Sequence, residues 1–473
     1  MILFYFLVSV MPFLDPPLLH YLTGDATFKL LGALCALYAA FYVSQRKVLP
    51  SYFATWQSRF IVLFYLIAAL SFLTKSRQTI SDSPLISCTS FMILLFVTVS
   101  VVDSLQRLRW VLLSAAAAVG FGSIWVIREW ISFRNVYPDF RPGWSVGDSN
   151  YFATSAVLCL PFMFLHILSG DVVRWEKRLY TGALLITIVA ITLCASRGGF
   201  LGLMAAFFVF VWRSRRRLRN LTIISVLLLV PTLALPNSPV RRLLQPNRSD
   251  RESSENRIAA WKAAKRMIAA HPLAGIGLGN FKTLMPMYTD PGVRTDTIGH
   301  NAYLEVAAEM GIPQLAVFLA ILFFSYQSLE QTRRRVQHSG PKLLSEAALG
   351  LEAGLVGYAV GALTISAEYQ KLFWLILCLS MCLPALARDI VPADEKRAFP
   401  EPNLKSRRTP AWQQAIGSLP KRGRSGESSI AGGSPSIEAS RQPEGRRASS
   451  SSRTDTLARF SERSRRLPRK LID

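Results

Sequence analysis

The chain is organised by apolar runs long enough to cross a hydrocarbon core, separated by mostly short polar connections. The runs fall at about 2–14, 27–44, 60–74, 84–102, 108–127, 151–169, 179–195, 198–212, 221–236, 310–328, 347–366 and 370–387. In lipid an isolated apolar run satisfies its backbone only as a helix, so the pattern predicts an all-α polytopic membrane protein of about twelve transmembrane helices. The first run is short and ends at Asp15, Pro16 and Pro17, but no basic segment precedes it, so it reads as a span and not a cleaved leader. Four regions follow: spans one to nine over 1–236, a long polar loop over 237–309, spans ten to twelve over 310–387, and a Ser/Pro/Gly/Arg-rich tail over 388–473. The tail has too few apolar residues to build a core and is expected to be disordered.

Composition supports this reading, with 51% of the 473 residues hydrophobic and only 18% charged. That balance excludes an ordinary water-soluble protein. The net charge of +24 would point to nucleic acid if it formed a patch, but residues 388–473 hold 19 basic and 10 acidic residues, and much of the rest sits in short loops. The basicity is topological, and no nucleic-acid partner is expected. Lys and Arg are retained on the cytoplasmic side of short loops. With the N-terminus inside, Arg46 and Lys47, Arg107 and Arg109, Arg174, Lys177 and Arg178, the arginines of 213–219, and Arg333, Arg334 and Arg335 all fall on that side. The C-terminus is then cytoplasmic too, its tail solvated or resting on membrane lipids, and the 237–309 loop and a shorter 128–150 loop face outward. Cys35, Cys88, Cys159, Cys194, Cys378 and Cys382 lie in or at the edge of apolar stretches and read as small buried hydrophobes, without disulfide or zinc spacing.

Candidate chemistry concentrates at the outer face. Arg197 lies between spans seven and eight with almost no loop to carry it; a guanidinium at that depth faces a polar cavity or snorkels to lipid phosphate. The adjoining Gly198 and Gly199 would permit a tight turn and close approach of a ligand. Arg141 precedes Asp148, Ser149 and Asn150, which can cap the helix of span six; fixed donors beside an arginine suit a phosphate. Residues 256–266 have helical spacing, with Ile258 and Trp261 on one side, and predict a helix lying on the membrane surface that carries Arg257. Gly275, Gly277 and Gly279 follow with no preceding strand, which argues against a dinucleotide fingerprint and for a flexible turn walling a substrate or forming a lid. His300 and Asn301 sit where the loop re-enters the membrane, a place where a neutral imidazole can accept a proton or simply cap and pack.

Together these residues resemble the O-antigen ligase and polymerase superfamily of bacterial envelope membrane proteins. His300, Asn301, nine residues and then Gly311 is similar to the ligase motif of His, an Asn/Ser/Gln, nine residues and Gly. The Ser-Arg-Gly-Gly of 196–199, the segment around Arg257 and the Pro-Leu-Ala-Gly-Ile-Gly-Leu-Gly of 272–279 precede it in the order the family shows. The resemblance covers about 140–325; it departs at Gln314, where the family usually has a small residue. It implies a C-type glycosyltransferase-like helical fold in the bacterial inner membrane. It also implies transfer of a glycan from undecaprenyl pyrophosphate to an acceptor hydroxyl of lipid A core or a similar acceptor, at the periplasmic face, inverting and without metal or cofactor. His300 would be the base, Arg197, Arg257 and Arg141 would hold the pyrophosphate, and Asn301 and Gly311 would support them. A polymerase or a protein O-oligosaccharyltransferase of the same superfamily is the alternative; one dominant outer loop favours the ligase. A transporter or flippase would place charges near the midplane in matched repeats, and none is evident.

Overall fold

The structure, a computed structural model, describes residues 1–10, 26–46, 55–74, 83–137, 140–143, 148–169, 172–214, 216–235, 239–244, 248–292, 298–337 and 340–390. Among them every regular element is a helix. In order these are α1 (Ile2–Val10), α2 (Ala26–Arg46), α3 (Trp56–Thr74), α4 (Ser83–Val101), α5 (Leu105–Phe133), α6 (Ser149–Val157), α7 (Leu160–Leu168), α8 (Arg174–Cys194), α9 (Arg197–Arg213) and α10 (Arg217–Ala234). The polar loop contributes α11 (Pro239–Leu244), α12 (Arg248–Ala270), α13 (Phe281–Leu284) and a 3₁₀ turn (Met285–Tyr288); α14 (Ala302–Val336), α15 (Lys342–Gly361) and α16 (Lys371–Ile390) complete the described fold.

Nine helices among the described residues are long and apolar enough to cross a membrane, with α6 and α7 counted as one. The difference from twelve lies in three places. The side chains of α2 are described only over Leu30–Gln45, α9 has 17 residues, and α1 has 9, the rest of its predicted run lying outside the described residues. The tail beyond 390 likewise lies outside them.

Burial separates central from peripheral helices. Leu372, Phe373, Trp374, Leu375, Leu377 and Leu379 of α16 are all within 1% of full burial, and Trp374 stacks on Phe91 with centroids 4.4 Å apart. On α10, by contrast, Leu218, Leu221, Val226, Leu229 and Leu233 are exposed, as expected of side chains whose solvent is lipid. Small residues bring backbones together where water supplies no driving force. A glycine stripe on α15 does this: Gly350 and Gly354 lie on the backbone of Phe162 and Leu158, and Gly357 on the carbonyl of Gly202 in α9.

Charges gather at the end of the bundle where α9 finishes. Arg213 pairs with Glu330 at 3.1 Å and Glu352 at 3.2 Å, Arg333 with Glu352 at 3.1 Å, Arg109 with Glu176 at 2.8 Å and His166 with Glu346 at 2.8 Å. Arg197 begins the same helix, so at 1.5 Å per residue it stands about 24 Å from Arg213. All six cysteines are buried and free.

The helix expected over 256–266 is α12, longer at both ends. Its buried face differs from the expectation. Ala260, Ala263, Ala264 and Met267 pack with Ile276, Phe281, Met285 and Ala308 in a small second core, while Ile258 is 51% exposed. The loop therefore docks on α14 of its own protein.

The span expected over 310–328 is the second part of α14, which starts at Ala302 and breaks at Gly311, with φ 86° and ψ 171°. Pro313 has no N–H to serve the carbonyl of Glu309 four residues earlier. Gly277 N–H donates to that carbonyl at 2.8 Å, Ile276 N–H to Ala308 at 2.9 Å, and Ile312 N–H to Pro272 O at 2.8 Å. The glycine-rich stretch is thus the fixed cap of a broken helix and not a flexible turn. A Cβ at Gly275 would overlap the Glu309 carbonyl, and one at Gly311 the Leu273 carbonyl. Gln314, the departure from the family pattern, is fully buried and ties α14 to α3 by donating from Nε2 to Phe64 O at 3.0 Å.

Candidate functional site

Arg197 is the first residue of α9. Ala195 ends α8 in the left-handed region at φ 48°, which turns the chain straight into Ser196, the N-cap whose Oγ accepts from Gly199 N–H at 3.1 Å. Gly198 and Gly199 are both helical, and a Cβ on them would overlap Thr364 and Ala153 respectively. Their role is to seat the start of α9 against neighbouring chain, in place of the tight turn and ligand approach expected from sequence. The Arg197 guanidinium is left partly buried, donating from Nη2 to Ser254 Oγ of α12 at 3.2 Å.

Asn150 organises the neighbouring segment. Its N–H donates to Asp148 Oδ1 at 2.7 Å, capping α6. Its Oδ1 accepts from Ser196 Oγ at 2.8 Å and from Arg141 Nη2 at 2.9 Å, while Arg141 Nε donates to Cys194 O at 3.0 Å. Arg141 therefore joins the end of α8 to the start of α6.

Arg257 and His300 complete the group, and neither is fully satisfied. The Arg257 Nε and the His300 Nδ1 are buried without a hydrogen-bond partner, an arrangement that costs about 1–3 kcal/mol each unless a ligand supplies the bond. His300 adopts φ 47°, unusual for a residue with a side chain. Asn301 caps α14, its Oδ1 accepting from Tyr303 N–H at 3.1 Å and Leu304 N–H at 3.0 Å, and its Nδ2 donating to Leu363 O at 3.0 Å. Gly311 stands at the break described above, one helical segment away from His300.

The four candidates share one electrostatic neighbourhood. Burial and then the charges of Arg141 and Arg197 lower the pKa of Arg257, with Asp148 opposing. Burial lowers that of Arg141, and Arg197 adds to the effect. Burial and then Arg257 push His300 from its ordinary 6.5 down to about 4, again with Asp148 opposing. The imidazole is accordingly neutral at physiological pH. The charges of three guanidinium groups from separate segments lower the pKa of Arg141, Arg257 or His300, with Asp148 opposing, so their mutual repulsion is relieved by an anion.

Three acids beneath this group escaped the sequence reading. Glu305 Oε2 accepts from Gly299 N–H at 3.0 Å and from Ser366 Oγ. Glu309 accepts from Phe281 N–H at 3.2 Å and Tyr369 Oη at 3.4 Å. Glu368, 1% exposed, has both carboxylate oxygens unpartnered, and burial followed by the charge of Glu305 raises its pKa well above the usual carboxylate range. The available signal was the i, i+4 pair Glu305 and Glu309 on a helix entering the membrane.

Residues 182–319 match a family model described as O-Antigen ligase. The matched stretch runs from α8 past the break in α14 and includes Arg197, Arg257, His300, Asn301 and Gly311, but not Arg141. No curated protein matches the chain.

Proposed function

We propose, from the match of residues 182–319 to the O-antigen ligase family model, that the protein transfers a glycan from undecaprenyl pyrophosphate to an acceptor hydroxyl at the periplasmic face of the bacterial inner membrane. The observation that carries this reading is the convergence of Arg141, Arg197 and Arg257 beside a neutral His300. Cleaving the anomeric C–O bond leaves both bonding electrons on the departing pyrophosphate. Fixed cations placed where that charge grows stabilise the transition state, and guanidinium forks match phosphate oxygens. The acceptor oxygen attacks the anomeric carbon from the opposite side and His300 takes its proton, so configuration inverts. Asn301 holds the start of α14 in place, and Gly311 permits the break on which the loop rests. No metal is required in this scheme.

We favour a ligase, with lipid A core or a similar acceptor, over a polymerase or a protein O-oligosaccharyltransferase, because the chain has one dominant outer loop, over 237–309, instead of two. Purified protein in liposomes, given carrier-linked glycan and acceptor, should release undecaprenyl pyrophosphate and form a linkage of inverted configuration. Retention of configuration would overturn direct displacement. In a deletion strain, full-length polymer left on the carrier would support the ligase, and single capped repeats the polymerase.

A further inference from the structure

Ser254, Arg257 and Trp261 of α12 are spaced i, i+3 and i+7 and so form one stripe, about 10 Å long at 1.5 Å per residue. Two members touch or are candidate groups, and the third touches the residue before one. Ser254 Oγ accepts from Arg197 Nη2 at 3.2 Å. Arg257 presents its unpartnered Nε. Trp261 Nε1 donates to the carbonyl of Gly299, the residue before His300, at 3.0 Å.

Gly299, the residue before His300, is held through both of its peptide groups: its carbonyl accepts from Trp261, while its N–H donates to Glu305 Oε2 at 3.0 Å. Glu305 is itself fixed by Ser366. Immediately after this clamp His300 adopts φ 47°, a conformation that persists only where the surroundings impose it. Directly beyond, Ala302 N–H is tied to the carbonyls of Ala362 and Ile365, each at 3.0 Å. An adjoining face of α12 is locked into the second core through Ala260, Ala263, Ala264 and Met267, so the stripe cannot rotate without breaking that core.

We infer that α12 is the alignment bar of the site, and that Trp261 is a positioning residue that sets the His300 imidazole in register with the arginines of the diphosphate grip. This rests on the transfer reaction proposed above. Trp261 touches no substrate; it acts through the Gly299 peptide. Ser254 does the corresponding work for Arg197.

The two ends of the bar separate experimentally. Trp261→Phe keeps an aromatic ring and removes the N–H donor, so the imidazole loses its register while the arginines keep theirs. Binding of undecaprenyl pyrophosphate should stay within about 3-fold of wild type, and single-turnover transfer of carrier-linked glycan extracted from the deletion strain should slow by about 10- to 100-fold, the scale of an ångström-sized misplacement. Ser254→Ala should show the opposite pattern, weakening binding of the carrier pyrophosphate more than it slows transfer at saturation. If Trp261→Phe does not fold, benzothienylalanine at position 261 retains the bicyclic shape without the donor and gives the same test. A Trp261 variant that is folded and transfers at the wild-type rate overturns the inference, as does one that loses carrier binding and transfer in equal proportion. His300→Ala, run alongside, reports on the underlying reaction: a normal rate there overturns the base assignment, whereas an inactive His300→Ala beside a fully active Trp261→Phe overturns only the alignment role.

Discussion

Gly311→Ala is the sharpest perturbation of the scaffold beneath the site. At φ 86° and ψ 171° the residue occupies a region open essentially to glycine alone, and an alanine forced there costs about 1–3 kcal/mol. A Cβ would also overlap the carbonyl of Leu273, so the 272–277 segment has to move. Moving it loosens three bonds that seal the broken helix, Ile276 to Ala308, Gly277 to Glu309 and Ile312 to Pro272, each worth about 1 kcal/mol net. Taken together, the substitution should cost about 4–6 kcal/mol locally. Gly292→Ala is the control: its φ is 83°, yet nothing lies within 4 Å of the added Cβ, so only conformational strain of about 1 kcal/mol or slightly more is expected. Hydrogen exchange of the detergent-purified protein reads the difference directly. Since 1.4 kcal/mol is tenfold in an equilibrium constant, the amides of Ile276, Gly277 and Ile312 should exchange at least about 100-fold faster in Gly311→Ala. They should barely change in Gly292→Ala. Equal protection of those three amides in wild type and Gly311→Ala would refute the account of the break.

Further outcomes follow from the site itself. Arg197→Lys and Arg257→Lys keep the charge and lose the planar fork, so each should weaken binding of undecaprenyl pyrophosphate; unchanged affinity in a titration would remove that arginine from the grip. Because burial and Arg257 hold His300 at about 4, the acid limb of kcat/KM should lie near that value. The limb of kcat should lie at higher pH, because bound diphosphate offsets Arg257. In Arg257→Gln the kcat/KM limb should move upward, and a limb that stays in place would detach the rate from this imidazole. For topology, single cysteines in a cysteine-free background should react with an impermeant maleimide at position 287, where Met287 is exposed, and not at 216, and labelling of 216 from outside would invert the proposed orientation.

Much of the fold was legible because it depends on local chemistry. Runs of apolar residues specify helices in lipid with little ambiguity, and the long helix α12 followed from its spacing. Arg141, Arg197, Arg257 and His300 were recognisable because such groups are expensive near a membrane and need a reason to be there. What the sequence concealed was contact. The glycines of 275–279 resemble a mobile turn until the break at Gly311 places carbonyls beside their N–H groups. Gly198 and Gly199 resemble a tight turn open to a ligand until Thr364 and Ala153 are seen against them. Trp261 reads as one side of a helix lying on the membrane surface, although its indole N–H meets a peptide 38 residues away. Glu368 went unremarked because a short connection between the last two spans gives no sign that its carboxylate is buried, whereas Glu305 and Glu309 left a signal in their i, i+4 spacing.

The central claim is that His300 works on the acceptor while the arginines work on the donor, and one paired measurement on His300→Ala tests it. Binding of undecaprenyl pyrophosphate and single-turnover transfer from carrier-linked glycan are measured separately on folded, purified protein. General-base catalysis is typically worth about 10² to 10⁴, so transfer at saturation should fall about 100-fold or more while donor binding stays nearly intact. A His300→Ala protein that binds the carrier poorly, yet transfers at the normal rate once saturated, would assign this residue to the diphosphate and contradict the account.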